Sequence, residues 1–196
     1  MTRYQQRTSS VATWRTVRPL SILCFDIENL PGTYGPSDWT HPKVTAIAGQ
    51  FVGDPPPRAW VLDRRNREQM TQCAISFAEL WGEADRVMGH NIRRHDIKIL
   101  GGLYTDLGLP LLPKKRMIDT YLDQPKMQGV SRSLENLADR WDCPIKKLHL
   151  SEYAWQMAYD GIPEYAEQMR ARVTSDVQIN LWLFEELLRR ELLSVS

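Results

Sequence analysis

Residues 21–29 read Ser-Ile-Leu-Cys-Phe-Asp-Ile-Glu-Asn, and the predicted architecture is built outward from them. The run from Ser21 to Phe25 is short, apolar and partly β-branched, and it stops at a carboxylate, which is typical of a buried strand. Asp26 and Glu28 are two residues apart, and such side chains in an extended chain point to the same side. We therefore predict a buried strand that directs both carboxylates to one site at its C-terminal end.

Two further strands follow this one at short spacing. Residues 44–52 and 58–62 have the composition of strands, and Gly53-Asp-Pro-Pro-Pro57 between them is predicted to be a turn. Three early strands joined by short turns predict an antiparallel meander.

Helices and short strands alternate over the rest of the chain. Met70, Ala74, Phe77 and Trp81 are spaced by four, three and four residues, which places them on one face of a helix that starts near Asn66. The same reasoning predicts two short strands and four more helices: strands at Val87–Met88 and Met117–Ile118, and helices over Ile97–Leu107, after a Ser133 cap, after a Ser151 cap, and over Val177, Leu181, Phe184 and Leu188. This order favours an α/β fold with helices packed around a mixed sheet.

The composition is that of one folded domain without a strong charge bias. Of 196 residues, 42% are hydrophobic and 25% are charged, and the formal net charge is +1, which argues against a strongly basic nucleic-acid-binding protein. No apolar run approaches about 20 residues, so we expect no membrane span, and the lack of an apolar stretch in the first residues leads us to expect no secretory signal. Three widely separated cysteines favour reduced thiols and a cytoplasmic location.

Residues 1–20 are predicted to form a flexible basic arm ahead of a single folded domain, residues 21–196. The arm carries four arginines and no acidic residue. It resembles a mobile segment that contacts phosphates, and it also resembles an organellar transit peptide. A poorly ordered terminus with incidental charge is the interpretation we favour.

Two further acids occupy the ends of predicted elements. Asp96 follows Gly89–His95 at the start of a helix, and Asp176 opens the apolar face of the last helix. Together with Asp26 and Glu28 they offer the hard oxygen ligands that suit Mg²⁺ or Mn²⁺. Two such cations about 4 Å apart clamp the attacking and leaving oxygens during phosphodiester hydrolysis. The spacing of these acids alone also fits a solvated acidic surface. The residues that flank them are needed to distinguish a metal site from such a surface.

The flanking residues resemble the motifs of the DEDD superfamily of 3′→5′ exonucleases. Phe25-Asp-Ile-Glu-Asn29 resembles the first motif, and Gly89-His-Asn-Ile-Arg-Arg-His-Asp96 resembles the second, in the form found in polymerase-B-like proofreading domains and their phage-encoded relatives. Met169–Val177 resembles the third, and Ile118-Asp-Thr120 matches a recurring segment between the second and third motifs. The resemblance runs in the expected order from Ser21 to Leu193.

This resemblance implies an RNase H-like fold, with a five-stranded mixed sheet and helices on both faces. It implies that two Mg²⁺ or Mn²⁺ ions are held by four catalytic, metal-binding acids: Asp26, Glu28, Asp96 and Asp176. Asn29 and Leu30 would line the pocket for the terminal nucleotide, Asn91 would lie near the substrate, and Arg172 is a further candidate for contact with it. Arg93 and Arg94, beside the second motif, are candidates for contact with the substrate strand, although a solvated surface explains them equally well.

The sequence departs from the family at two positions. His95 replaces the usual Phe of the second motif, and Arg172 and Ala171 occupy the places where the third motif carries its Tyr or its His. Arginine cannot act as a base at neutral pH, so the residue that activates the water is missing. Three explanations stay open: the cations suffice, His149 or Tyr165 supplies the base, or the domain binds nucleic acid with little hydrolysis.

The expected function is therefore a 3′→5′ exonuclease acting on nucleic acid, with single-stranded DNA favoured and RNA open as a substrate. One alternative is a catalytically weak or inactive nucleic-acid-binding or replication-accessory module, with replication proteins as possible partners. Another is a ribonuclease or endonuclease that uses the same metal-binding acids. Residues 26–31 and 155–161 resemble predicted exonucleases of bacteriophages in particular, for which the location would be the host cytoplasm.

A few residues outside the motifs have two interpretations. Trp39 lies in a polar loop near the first motif and is a weak candidate for base stacking, whereas Trp81, Trp141 and Trp182 fall on helix faces and are predicted to pack in the core. Asp119 is either a fifth acid near the site or, more plausibly, a cap of a helix N-terminus. The Lys146–Lys147 pair either contacts phosphate or lies on a solvated surface.

Overall fold

The computed structural model describes residues 20–30, 43–54, 56–126 and 128–193. Within that part of the chain the elements are β1 (Ile22–Asn29), β2 (Val44–Phe51), β3 (Arg58–Val61), α1 (Arg67–Glu83), β4 (Arg86–Gly89), α2 (Asp96–Leu107), β5 (Arg116–Asp119), α3 (Leu134–Arg140), α4 (Glu152–Tyr159) and α5 (Pro163–Arg189). The arm at residues 1–20, apart from Leu20, and the stacking candidate Trp39 lie outside the described residues, so both stay predictions.

The strands form one mixed sheet in the order β3-β2-β1-β4-β5. The first three strands pair antiparallel, as the predicted meander requires, and β4 and β5 add in parallel on the other side of β1. A parallel neighbour needs a crossover connection, which α1 and α2 supply. The prediction of an α/β, RNase H-like fold with a five-stranded mixed sheet is confirmed.

Side chains alternate along β1 between two apolar layers. Leu23, Phe25 and Ile27 point into a core shared with α1 and α2. Cys24 points the other way, into a core shared with α3, α4 and α5. Because side chains alternate in a strand, Asp26 falls on the face that α5 covers.

Two of the predicted helix caps are present. The Ser133 hydroxyl accepts a hydrogen bond from the backbone N–H of Asn136, and the Ser151 hydroxyl accepts one from that of Ala154. Such bonds satisfy backbone donors that the first turn of a helix leaves unpaired, so they fix where α3 and α4 begin.

The last helix is longer than predicted, and its buried face includes Val177 and Phe184 as predicted but differs at Leu181 and Leu188. It begins at Pro163, which stands at the first helical position, so Asp176 lies in the middle of α5 and does not open it. Leu183 and Leu187 are fully buried, whereas Leu188 is exposed and Leu181 is only partly buried. The tryptophans Trp81, Trp141 and Trp182 pack in or against the apolar cores, as predicted.

Two simple expectations can be compared with the described residues. All three cysteines are unpaired and buried. No helix in the described part of the chain combines the length and the apolar character needed to cross a membrane.

Candidate metal centre

Three acids that are distant in sequence meet where β1 packs against α5. Asp26, Glu28 and Asp176 each offer a carboxylate oxygen, and these oxygens lie within 4.8 Å of one another. Glu28 and Asp176 are almost fully buried, and Asp26 is half-buried. The two strand acids share a face because of their spacing, and α5 brings the third acid to them from about 150 residues further along the chain.

Asp96 lies in the same pocket at the first residue of α2. It is buried, but it is not among the three acids whose oxygens are grouped within 4.8 Å. The His95 ring lies close to it, with 3.4 Å between His95 Nδ1 and Asp96 Oδ2. The structure thus brings all four predicted acids to one pocket, three of them in direct proximity.

The pocket is open to solvent and has a volume of about 480 Å³. Besides the four acids, it is lined by Ile27, Asn29, His90, Asn91, His95, Leu134, Lys147, Trp155 and Arg172. Of the predicted substrate-binding residues, Asn29, Asn91 and Arg172 line it. Leu30 is buried in the apolar core, and Arg93 and Arg94 are exposed outside the pocket lining.

The Asp119 carboxylate fixes the backbone of the loop from Asn91 to Asp96 through hydrogen bonds. This carboxylate is fully buried and accepts four backbone hydrogen bonds, from the N–H groups of Asn91, Arg93, Tyr121 and Leu122. Asn91 has a φ of 65°, a left-handed conformation that Asn tolerates better than most residues. The prediction of a helix N-cap is therefore wrong for Asp119, because a turn and not a helix follows it; its carboxylate caps that turn and the second-motif loop. It is not part of the pocket lining.

Arg172 enters the pocket from α5, one helical turn before Asp176. Its Nε lies 2.8 Å from Glu28 Oε1, and its Nη2 lies 4.0 Å from Asp176 Oδ2. Its Nη1 donates to the carbonyl of Leu148, and its guanidinium lies 5.1 Å from the ring centre of Trp155. The residue that stands in place of the family's Tyr is therefore ion-paired to a predicted metal ligand.

Lys147 is the pocket residue whose role the sequence did not reveal. Its Nζ lies 3.0 Å from Asp176 Oδ2, and the side chain is mostly buried. The pairing depends on how the segment between α3 and α4 folds over the pocket, and no periodic pattern in the sequence encodes that path. The Lys146–Lys147 doublet was the one available signal, and its other member pairs with Asp139 on the surface.

Burial shifts the titration of the strand acids. Burial, followed by the charges of Asp176, Asp96 and Glu28, raises the pKa of Asp26 well above its usual range, and Lys147 partly opposes this. Burial raises the pKa of Glu28 to about 7 against the opposing charge of its arginine partner. Carboxylates crowded in this way are stabilised by a bound cation, because the cation offsets both desolvation and mutual repulsion.

The residues considered as replacements for the missing base do not reach the pocket. His149 is exposed and pairs with Glu135 at 3.0 Å, and Tyr165 packs edge-to-face on Tyr153. Neither lines the pocket. His90 does line it, and burial lowers the pKa of its imidazole to about 4, so the ring is neutral at physiological pH.

The donor set fits a divalent cation that prefers oxygen ligands. Asp176 Oδ1 is buried and has no hydrogen-bond partner among the described residues, and Asp26 has no basic partner within ion-pair distance there. An unpaired buried carboxylate oxygen is costly unless a cation satisfies it. Mg²⁺ and Mn²⁺ accept such all-oxygen sites.

Comparison with known proteins bears on the fold. No protein-family model and no curated protein matches the chain. Among solved structures, the chain is similar to part of a family B DNA polymerase from the hyperthermophilic archaeon Pyrobaculum calidifontis, with a TM-score of 0.63 and 20% sequence identity. The match covers 87% of this chain and 25% of the polymerase chain, so the protein spans about a quarter of that polymerase. At this identity the likeness establishes the fold alone.

Proposed function

We propose that the protein is a metal-dependent 3′→5′ exonuclease of the DEDD type, which hydrolyses phosphodiester bonds of nucleic acid and prefers single-stranded DNA. The observation that carries the proposal is the grouping of Asp26, Glu28 and Asp176 within 4.8 Å in an open pocket. These acids belong to the first and third motifs that resemble the family, and Asp96 of the second motif lines the same pocket. The likeness to part of a DNA polymerase supports a role that involves nucleic acid.

The four acids would hold Mg²⁺ or Mn²⁺, with two ions in the complete reaction. When bound, these cations lower the pKa of the attacking water and stabilise the leaving oxygen. The side chains of the pocket would bind the cations and position the terminal nucleotide. Asn29 and Asn91 offer amide groups to the nucleotide, and Trp155 and Leu134 offer apolar surface to its base.

The pocket suits a single terminal nucleotide. Its volume of about 480 Å³ lies in the range of about 300–1,000 Å³ that is common for small-molecule sites. A nucleotide has to separate from its neighbour to enter such a pocket, which favours a single strand. Arg93 and Arg94 are exposed beside the loop of the second motif, where they would contact phosphates of the preceding nucleotides.

A catalytically weak nucleic-acid-binding module is the second candidate, and Arg172 is the observation that favours it. A guanidinium at this position cannot take a proton from water, and its ion pair occupies Glu28. General-base assistance is worth about 10² to 10⁴ in rate, so its loss predicts a slow enzyme more readily than an inactive one. Four acids facing a phosphate would weaken binding unless cations accompany them, which is why we favour hydrolysis. Either activity would belong in the cytoplasm.

The two candidates are separated by a labelled-oligonucleotide assay. Single-stranded DNA and RNA carrying a 5′ label are incubated with the protein in Mn²⁺, and the products are resolved by length. Exonuclease action predicts a ladder that shortens one nucleotide at a time, and a 3′-labelled strand should release labelled mononucleotide at once. Internal cuts would indicate an endonuclease. Intact substrate with a gel shift would indicate a binding module.

Asp26→Asn is the variant that ties any hydrolysis to the metal centre. It removes a charge from the pocket at nearly constant side-chain size, so we expect hydrolysis to fall below detection. Asp139→Asn is the matched control, because Asp139 is exposed and does not line the pocket. Equal digestion by Asp26→Asn and the parent would show that the acids are not the catalytic centre.

A further inference from the structure

Two basic side chains already neutralise part of the acidic centre. Arg172 lies 2.8 Å from Glu28, and Lys147 lies 3.0 Å from Asp176. A cation binds the four carboxylates of this pocket in their deprotonated form, and beside the two fixed positive charges that form carries a net charge of two negative units. One divalent cation balances that charge. A second would leave two net positive units beside the buried side chains of Glu28, Asp176 and Arg172, where solvent screens the repulsion less than it does at an exposed surface.

We propose that Arg172 and Lys147 take the place of one divalent cation, so that the protein without substrate binds one ion tightly instead of two. This inference rests on the proposed function and concerns the stoichiometry of the same centre. Asp26 and Oδ1 of Asp176 would hold the tight ion, because they have no basic or hydrogen-bonding partner among the described residues. Glu28 stays with the guanidinium.

Arg172 is held too firmly to act as a loose surface counter-ion. It is 8% exposed, it donates to the Leu148 carbonyl, and its guanidinium lies against Trp155 while Nε faces Glu28. An arginine remains charged at any pH at which the protein is folded. A second ion therefore has to compete with a fixed, permanent charge for Glu28. It enters most readily with a substrate, whose phosphate supplies the missing negative charge.

The test is the number of Mn²⁺ ions bound by the full chain, measured by titration with detection of free Mn²⁺ by electron paramagnetic resonance. We expect one tight ion for the parent protein. Arg172→Gln should bind a second ion at least about tenfold more tightly than the parent does, because one positive charge leaves the pocket. Arg189→Gln is the matched control: this arginine lies on the same helix, but it pairs with Glu186 at the surface, so one tight ion is expected.

Lys147→Gln provides an independent variant in case Arg172→Gln does not fold, which circular dichroism would reveal. It frees Asp176 and carries the same expectation of a tighter second ion. Two equally tight ions in the parent protein would overturn the inference and leave the nuclease proposal standing. Unchanged stoichiometry in both folded variants would also overturn it. The absence of Mn²⁺ binding in every protein would overturn the inference and the proposed metal centre together.

Discussion

Glu28 makes the stability of the metal-free protein depend on pH. Its pKa rises from an ordinary value of 4.5 to about 7 on folding, mainly through burial. A carboxyl with a raised pKa stabilises the fold fully below the unfolded value and loses that contribution as the pH rises through the folded value. We therefore expect the free energy of unfolding to fall between about pH 4.5 and 7 when metal is removed.

Urea denaturation in EDTA at several pH values measures this effect, with Glu28→Gln as the reference. The pKa of Asp26 is also raised, partly by the charge of Glu28, so the difference between the two profiles reports Glu28 together with its effect on Asp26. The parent profile should be the steeper one. A parent profile no steeper than that of Glu28→Gln would mean that Glu28 ionises normally in the fold.

Asp119 contributes to the site through the backbone and not through the pocket. Asp119→Ala removes the acceptor for four backbone N–H groups in a fully buried position, so we expect a loss of about 2–4 kcal/mol in the free energy of unfolding. Chemical denaturation measures it. Asp139→Ala, at an exposed surface pair, should change stability by less than about 1 kcal/mol. Similar losses in the two variants would contradict the capping role.

Among the elements, the parallel pair β1–β4 depends on a glycine at the end of β4. A Cβ on Gly89 would lie 2.7 Å from the carbonyl oxygen of Phe25 and 2.5 Å from Ile92 Cγ2. Gly89→Ala should therefore destabilise the protein by about 1–3 kcal/mol, since the neighbouring strand and the second-motif loop must move apart.

Gly101, inside α2, is the matched glycine. A Cβ there meets no atom within 4 Å, so Gly101→Ala should stabilise the protein by about 0.5–1 kcal/mol, as expected for alanine in a helix interior. Thermal and urea unfolding of the two variants should give opposite signs. A Gly89→Ala protein as stable as the parent would show that β4 tolerates a side chain at position 89, and a destabilised Gly101→Ala protein would contradict the open space at position 101.

The elements could be predicted where their apolar pattern is regular and local. The strand before Asp26 can be predicted because apolar cores cover both of its faces, and α1 because its apolar residues recur on one face. The start of α5 is harder to predict, because the N-cap residue Ile162 makes no side-chain cap hydrogen bond. The predicted helix therefore begins too late, and Asp176 is placed at its start. The position of the sheet under α5 determines which side of the helix is buried, so that Leu187 is buried and Leu188 is exposed.

For the molecule as a whole, the order of the motifs predicts the fold and the convergence of the acids on one pocket. It does not predict the basic side chains that pair with those acids. Lys147 reaches Asp176 through the folded path of a loop, and Arg172 meets Glu28 only because α5 crosses β1 at that height. Such contacts join residues remote in sequence through tertiary packing, and no periodicity or spacing rule encodes them. The motifs alone pointed to an ordinary two-ion centre.

The central claim is that β1 and α5 together form a cation-binding centre, and crystals of the full chain soaked in Mn²⁺ test it most directly. We expect anomalous difference density for manganese within bonding distance of Asp26 and Asp176, and no such density in Asp26→Asn crystals treated identically. Crystals of the parent protein without density at these carboxylates, and with Lys147 still paired to Asp176 and Arg172 to Glu28, would contradict the account.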